Sequence, residues 1–162
     1  MFSDEQLTAA RDVLNACRSQ GLLLATAESC TGGLIAGCLT AVAGSSDVVE
    51  RGFVTYTNAA KNDLLGVAAE LFDTVGAVSE EVARAMAEGA LARSDAGVSV
   101  AVTGIAGPGG GTDEKPVGLV HIACAREGSE TLHERHVFGG DRDSVRAQTV
   151  LAALTLVKAS AT

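Results

Sequence analysis

Residues 97–112 read GVSVAVTGIAGPGGGT, and this stretch decides the fold class. Valine occupies every second position from 98 to 102, which predicts a strand over 97–103. The glycine-dominated residues that follow predict a loop over 104–112. Consecutive amides in such a turn form a concave site for an anion, so the end of this strand is a candidate ligand site.

The sequence on either side of this stretch predicts alternating helices and strands. Apolar runs predict buried strands over 22–27 and 117–125, and mixed compositions predict a strand over 51–57 and an edge strand over 131–138. Helical spacing and capping residues predict helices over 3–20, 31–42, 58–65, 79–93 and 141–158. This alternation predicts the α/β class, as a three-layer α/β/α sandwich with a mixed β-sheet. No linker or repeat divides residues 1–162, so we expect a single domain.

Composition and charge exclude several classes of protein. A chain of 162 residues with 47% hydrophobic and 20% charged residues has a globular composition, not a disordered one. Its net charge of −8 makes nucleic acids and anionic membranes poor partners. The first residues lack the pattern of a signal peptide, and the 4 cysteines form no Cys-x-x-Cys pair. We therefore expect a reduced, cytoplasmic protein.

The first polar motif is AESCTGG at 27–33, where a predicted strand meets a predicted helix. Free amides at such a junction favour an anion or a developing oxyanion. Ser29, Thr31 and the amides of Gly32 and Gly33 are therefore candidate binding groups. A capped turn with glycines for tight packing explains the motif equally well.

The second motif joins GSS at 44–46 to Tyr56 and Lys61. With Asn58 as the N-cap, Lys61 lies in the first helical turn, where the helix dipole disfavours a cation by ~0.3–1 kcal/mol. The same field, together with burial, lowers a lysine pKa and makes the amine a better general base. The alternatives without a catalytic role are a loop serine at 46, a solvent-facing lysine and a tyrosine at the rim of the core.

The glycine loop and the start of the last helix supply further binding groups. The loop after Thr103 lacks the Gly-Lys-Ser/Thr ending of a nucleotide P-loop and is not a dinucleotide fingerprint, which disfavours ATP and dinucleotides. In GGDRDSVR at 139–146, Arg142 stands beside free helix amides, as expected of a clamp for phosphate or carboxylate. An Asp–Arg surface pair is the alternative.

The histidines are poorly placed for two common mechanisms. His133 and His136 lie three residues apart on a predicted strand, so they point to opposite faces and make a poor metal pair. No histidine lies near either serine motif, which disfavours a Ser-His-Asp triad. Serine, lysine and tyrosine remain as the polar catalytic set. Cys30 is either a thiol nucleophile or a small buried residue.

Taken in order, these motifs resemble the CinA C-terminal domain family, the nicotinamide-nucleotide amidases or NMN deamidases. The resemblance rests on AESCTGG at 27–33, GSS at 44–46, GFVTYTNAAK at 52–61, GAVS at 76–79, TGIAGPGGG at 103–111, KPVG at 115–118 and FGGDR at 138–142. Many relatives carry an additional N-terminal domain. This chain resembles the stand-alone form.

The resemblance implies a reaction, a cofactor requirement and an oligomeric state for the protein. The expected reaction is hydrolysis of the carboxamide of nicotinamide mononucleotide (NMN) to nicotinic acid mononucleotide and ammonia, in pyridine nucleotide salvage. It implies no metal and no other cofactor, a small-molecule nucleotide substrate and a homo-oligomer, either a dimer or larger, whereas the exclusion of nucleic acid and membrane partners rests on the acidic charge.

Amide hydrolysis needs a nucleophile, a base and donors for the oxyanion, which assigns roles to the residues. We expect Ser46 to be the nucleophile, Lys61 its base and then the acid for ammonia, and Tyr56 a donor or ring contact. Ser29 is the alternative nucleophile and otherwise binds substrate with Thr31, Gly32 and Gly33. Substrate binding also falls to Thr103, Gly104, Gly107 and Arg142. A non-catalytic nucleotide-binding module and an amidase for another carboxamide remain alternative functions.

Overall fold

A five-stranded sheet lies between two layers of helices in the computed structural model, which describes residues 1–162. The strands are β1 (Leu24–Glu28), β2 (Val49–Val54), β3 (Val98–Gly104), β4 (Leu119–Arg126) and β5 (Leu132–Val137). Their order is β2-β1-β3-β4-β5, and β1 pairs in parallel with both β2 and β3. The pairs β3–β4 and β4–β5 are antiparallel. The predicted mixed sheet and three-layer α/β/α sandwich are confirmed.

Six α-helices cover the sheet: α1 (Asp4–Gln20), α2 (Leu34–Thr40), α3 (Asn58–Leu65), α4 (Ala69–Thr74), α5 (Glu80–Ala92) and α6 (Arg142–Ala161). Helices α1, α2 and α6 pack against Val98, Val100 and Val102 of β3. Helices α3 and α5 pack on the opposite face, against alanines of the central strands. The period of two along β3 therefore separates two cores. None of the helices is both long and apolar enough to cross a membrane.

Two boundaries differ from prediction in ways that affect function. Helix α2 begins at Leu34 instead of residue 31, because Gly32 and Gly33 have φ values of 58° and 104°, outside the helical region. The N-cap of α3 is Thr57 and not Asn58, since the Thr57 hydroxyl accepts the hydrogen bond from the Ala60 amide. The segment 29–33 is thus a loop.

Three parallel strands deliver their following loops to one edge of the sheet. Because β1, β2 and β3 run in the same direction, their carboxyl ends lie side by side. The loop 29–33 follows β1, residues 55–57 follow β2, and the glycine loop follows β3. The N-terminal residue of α6, Arg142, reaches the same edge.

Candidate active site

A serine–lysine pair occupies this edge of the sheet. The Nζ of Lys61 on α3 donates to the Oγ of Ser29, which follows β1, over 3.0 Å. The same Nζ donates to the carbonyls of Thr55 at 2.9 Å and Tyr56 at 3.3 Å. Lys61 is only 1% exposed, and it has no ion-pair partner. Three oxygen acceptors therefore orient the amine without neutralising it.

The Lys61 amine and the Cys30 thiol differ in how their pKa values are shifted by burial. Burial lowers the pKa of the Lys61 ammonium below its usual value, so more of the neutral amine is present near neutral pH. Burial raises the pKa of the Cys30 thiol to about 11, which leaves it protonated. A protonated thiol is a poor nucleophile. Ser29 is therefore the better nucleophile of the two.

A cavity of about 300 Å³ opens above the pair. It lies between the loop after β1 and the glycine loop, with the N-terminus of α6 at its rim. Seven of the residues predicted for the site line it, namely Ser29, Tyr56, Lys61, Thr103, Gly104, Gly107 and Arg142. These residues lie in four separate motifs of the sequence.

The structure places Ser46 away from this cavity. Ser46 is exposed, in the short 3-10 helix Ser45–Asp47 that precedes β2, whereas Lys61 follows β2. Six strand residues lie between them, which corresponds to roughly 20 Å at the rise of a strand. The expectation that Ser46 pairs with Lys61 is therefore corrected, because the serine beside Lys61 is Ser29. The order of strands and loops carried a usable signal, since only Ser29 follows a parallel strand.

Internal hydrogen bonds stabilise the Thr31–Gly33 part of the loop. The Thr31 hydroxyl donates to Glu28 Oε1 over 2.6 Å, and the Gly32 amide donates to the Ser29 carbonyl over 3.0 Å. The Thr31 hydroxyl and the Gly32 amide are thus already engaged within the protein. The amides of Cys30, Thr31 and Gly33 donate to no backbone carbonyl.

The outer part of the cavity is polar and carries a cation. Arg142 Nη2 donates to the Tyr56 hydroxyl at 2.9 Å, and Nη1 donates to the Gly107 carbonyl at 2.8 Å. The Thr103 hydroxyl donates to the Ala77 carbonyl at 2.7 Å. Arg142 therefore joins the loop after β2 to the glycine loop, with its guanidinium beside the cavity.

Two residues that sequence reasoning missed hold the loop from below. Glu28 is fully buried, and its carboxylate accepts hydrogen bonds from the Thr31 hydroxyl and from the amides of Ile35 and Ala36. Arg146 on α6 donates to the carbonyls of Cys30 and Thr31. A carboxylate at the end of an apolar strand was the only signal for Glu28 in the sequence. Nothing in the local sequence distinguishes Arg146 from a surface arginine.

Almost the whole chain matches a known protein family. The model of the CinA C-terminal domain matches residues 6–161. The chain belongs to the CinA C-terminal domain family. Its structure superposes on the crystal structure of a competence/damage inducible protein from Agrobacterium tumefaciens with a TM-score of 0.96, over 98% of this chain and 97% of that one. The two sequences are 53% identical.

Two relatives of similar length carry a functional name. A nicotinamide-nucleotide amidohydrolase PncC from Pseudomonas putida is 57% identical, over 80% of each chain. A protein of the same name from Escherichia coli K12 is 47% identical over 95% of this chain and 93% of its own. Other relatives are longer: the chain spans 39% of a putative competence-damage inducible protein from Symbiobacterium thermophilum, at 50% identity.

Proposed function

We propose that this CinA-family chain hydrolyses the carboxamide of NMN to nicotinic acid mononucleotide and ammonia, as a step of pyridine nucleotide salvage. The observation that carries the proposal is the 3.0 Å contact between Lys61 Nζ and Ser29 Oγ at the floor of the cavity. A nucleophile and a base in contact are the minimum equipment for acyl transfer. The names of the two relatives of similar length support the choice of substrate.

In the first half of the reaction, Ser29 forms an ester with the nicotinoyl group. Neutral Lys61 takes the Ser29 hydroxyl proton as Oγ attacks the carboxamide carbon. The tetrahedral intermediate collapses when the Lys61 ammonium gives that proton to the departing nitrogen, and the C–N bond breaks to release ammonia. The Thr55 and Tyr56 carbonyls keep Nζ aimed at both atoms.

In the second half, water hydrolyses the ester. Lys61 removes a proton from water as the oxygen attacks the ester carbon, and then returns it to Ser29 Oγ as the C–O bond breaks. The products are the nicotinate carboxylic group and the original enzyme. A lysine with a lowered pKa suits both steps, because it exchanges a proton at a lower pH than an ordinary lysine does.

The outer cavity fits the nucleotide part of the substrate. Thr103 and the glycine loop at Gly104 and Gly107 line the walls, and Arg142 with the Tyr56 hydroxyl stands at the rim. A guanidinium at the rim suits a phosphate, which it binds through two parallel N–H bonds. We assign the ribose phosphate to Arg142 and Tyr56.

Ammonia release from NMN tests the proposal directly. Purified, chelator-treated protein is incubated with NMN and, separately, with free nicotinamide. We expect release from NMN, reduced to background in Ser29→Ala and unchanged in the matched control Ser46→Ala. Activity that survives Ser29→Ala but is lost in Ser46→Ala would restore Ser46 as the nucleophile. Release from neither compound would favour a nucleotide-binding module without catalysis.

Arg142 gives a second test, of substrate choice. We expect Arg142→Ala to raise the KM for NMN by ~10–100-fold with a smaller change in kcat, because a charge-assisted hydrogen bond contributes about 1.5–3 kcal/mol. Steady-state kinetics at several NMN concentrations measure this, with Arg142→Lys as the charge-conserving control. An unchanged KM would remove the phosphate clamp. Equal turnover of free nicotinamide would indicate an amidase for other carboxamides.

A further inference from the structure

Arg146 reaches the loop that carries Ser29 from the side opposite to Lys61. Its Nε donates to the Cys30 carbonyl and its Nη2 to the Thr31 carbonyl, both over 3.1 Å. Helix α6, which carries Arg146, packs in the core on one face of the sheet, whereas α3, which carries Lys61, packs on the other. Guanidinium and amine therefore hold the two sides of one short loop.

The two peptide units that Arg146 binds carry the amides of Thr31 and Gly32. In a trans peptide the C=O and the following N–H point in opposite directions, so the Thr31 amide faces away from Arg146. The Ser29 carbonyl is held by the Gly32 amide, which turns the Cys30 amide outward from that bond. Neither amide donates to a backbone carbonyl, and Cys30 lines the cavity. Unpaired amides at buried residues are rare and call for a partner such as a ligand.

The Glu28 carboxylate fixes the same loop through the Thr31 side chain and the start of α2. Its Oε1 accepts from the Thr31 hydroxyl at 2.6 Å and from the Ile35 amide at 2.8 Å. Thr31 is thus held by its hydroxyl on one side and by its carbonyl on the other. With both anchors in place, the peptide planes that follow the nucleophile cannot rotate freely.

On the basis of the hydrolysis proposed above, we propose that Arg146 is a positioning residue for the oxyanion hole, which orients the Thr31 amide directly and the Cys30 amide through the Gly32 amide and the Ser29 carbonyl. As Ser29 Oγ attacks, the carboxamide oxygen acquires a negative charge, which donors fixed in advance stabilise most effectively. The Cys30 amide belongs to the residue directly after the nucleophile and faces away from the Ser29 carbonyl, so it is a donor available beside the attacking oxygen. Arg146 does not touch the substrate and acts through the Cys30–Thr31 and Thr31–Gly32 peptide units.

The test compares Arg146→Met and Arg146→Lys with Arg126→Met, using NMN as substrate. Arg126 also donates to a carbonyl, that of Ser160, but at the far end of α6. We expect kcat to fall by ~10–100-fold in Arg146→Met, less than or comparable to the loss of an oxyanion donor, with KM near its wild-type value. Arg146→Lys should be intermediate, because an ammonium lacks the planar fork. Arg126→Met should keep the wild-type kcat.

Two further readouts separate positioning from loss of structure. Circular dichroism and thermal unfolding establish that each variant is folded under assay conditions. Guanidinium at a non-denaturing concentration should restore part of kcat in Arg146→Ala, whereas potassium chloride at the same ionic strength should not. Recovery with guanidinium alone supports the positioning role.

The results also distinguish this inference from the proposed function. A wild-type kcat in Arg146→Met, a loss confined to KM, or an equal loss in Arg126→Met would overturn the role of Arg146 while leaving NMN hydrolysis intact. Absence of activity in the wild-type protein would overturn both.

Discussion

Lys61 is an ammonium group enclosed by protein, with carbonyl and hydroxyl oxygens around it but no carboxylate. An unpaired buried charge is unfavourable, so proteins keep one where its proton is used. The hydrogen bonds to Thr55 and Tyr56 stabilise the ammonium form only in part, and burial still lowers its pKa. This residue therefore controls how the activity depends on pH.

We expect kcat/KM to rise with pH through the pKa of Lys61 in the free enzyme, below the usual lysine value of 10.5. Only the neutral amine can accept the Ser29 proton. Lys61→Met should lower kcat by ~10²–10⁴ and abolish this rising limb. The measurement is a pH–rate profile of both proteins. A rising limb that persists in Lys61→Met would assign it to another group.

Stability offers a check on the same pKa without catalysis. Since the folded protein binds the Lys61 proton more weakly than the unfolded chain does, the free energy of unfolding should rise with pH from the folded pKa up to 10.5. In Lys61→Met this contribution disappears. Urea unfolding of the two proteins over that pH range gives the difference.

At the scale of elements, the position of Lys61 depends on how closely α3 approaches α5. Gly89 of α5 faces the carbonyl of Leu65, the last residue of α3. A Cβ added at Gly89 would lie 2.0 Å from that oxygen, far inside normal contact. The absence of a side chain at one position of α5 thus sets the distance between the two helices.

We expect Gly89→Ala to destabilise the protein by ~1–3 kcal/mol, as overpacking of a core does, and to lower kcat by displacing α3. Gly37→Ala is the matched control, since its Cβ would meet only the Phe2 ring at 3.5 Å. That change should be neutral or stabilising by up to about 1 kcal/mol, from helix propensity alone. Urea unfolding of both variants measures the change in stability, and NMN turnover measures the change in kcat. Equal stability of the two would contradict the packing argument.

The sequence predicted most elements because their signals are local. The capping box of Ser3 and Gln6 and the C-cap at Gly21 bound α1 as expected. Helix α4 was missed, since Ala69–Thr74 is short and has only Leu71 and Phe72 partly buried against the core, too few for a helical period. The start of α2 was misjudged because positive φ at Gly32 and Gly33 is invisible to helical spacing.

At the scale of the molecule, the site draws on residues from Ser29 to Arg142. Each of Thr103, Lys61 and Arg142 could be recognised alone, because each stands next to the end of a strand or the start of a helix. Pairing Lys61 with Ser29 instead of Ser46 required knowing that β1 and β2 are parallel neighbours. Strand order is a long-range property, so local patterns in the sequence did not supply it.

The molecule as a whole should lose stability in mild acid through His121 on β4. Burial lowers its pKa to about 4, and its ring stacks on His133 with Nδ1 and Nε2 2.9 Å apart. Below the usual histidine pKa of 6.5, the unfolded chain takes up a proton that the folded protein does not. The free energy of unfolding should therefore fall as pH drops from 6.5 to about 4.

Urea unfolding at several pH values within this window tests the expectation. His121→Gln should show a shallower loss of stability, although Glu80, Arg135, Lys115 and His133 also face this group. His136→Gln controls for the loss of an imidazole on the neighbouring strand β5. An unchanged slope in His121→Gln would assign the acid sensitivity elsewhere.

The four cysteines are all reduced, and all are buried on different parts of the fold: Cys17 on α1, Cys30 after β1, Cys38 on α2 and Cys124 on β4. A soluble thiol reagent can reach Cys17, Cys38 and Cys124, which are 0% exposed, only during a local opening of their surroundings, whereas Cys30 lines the cavity. Mass spectrometry of the labelled peptides would then rank the buried regions by how often they open, without any engineered cysteine. The labelling rates of the native cysteines therefore report fluctuations of the loop beside the nucleophile and of the core behind it.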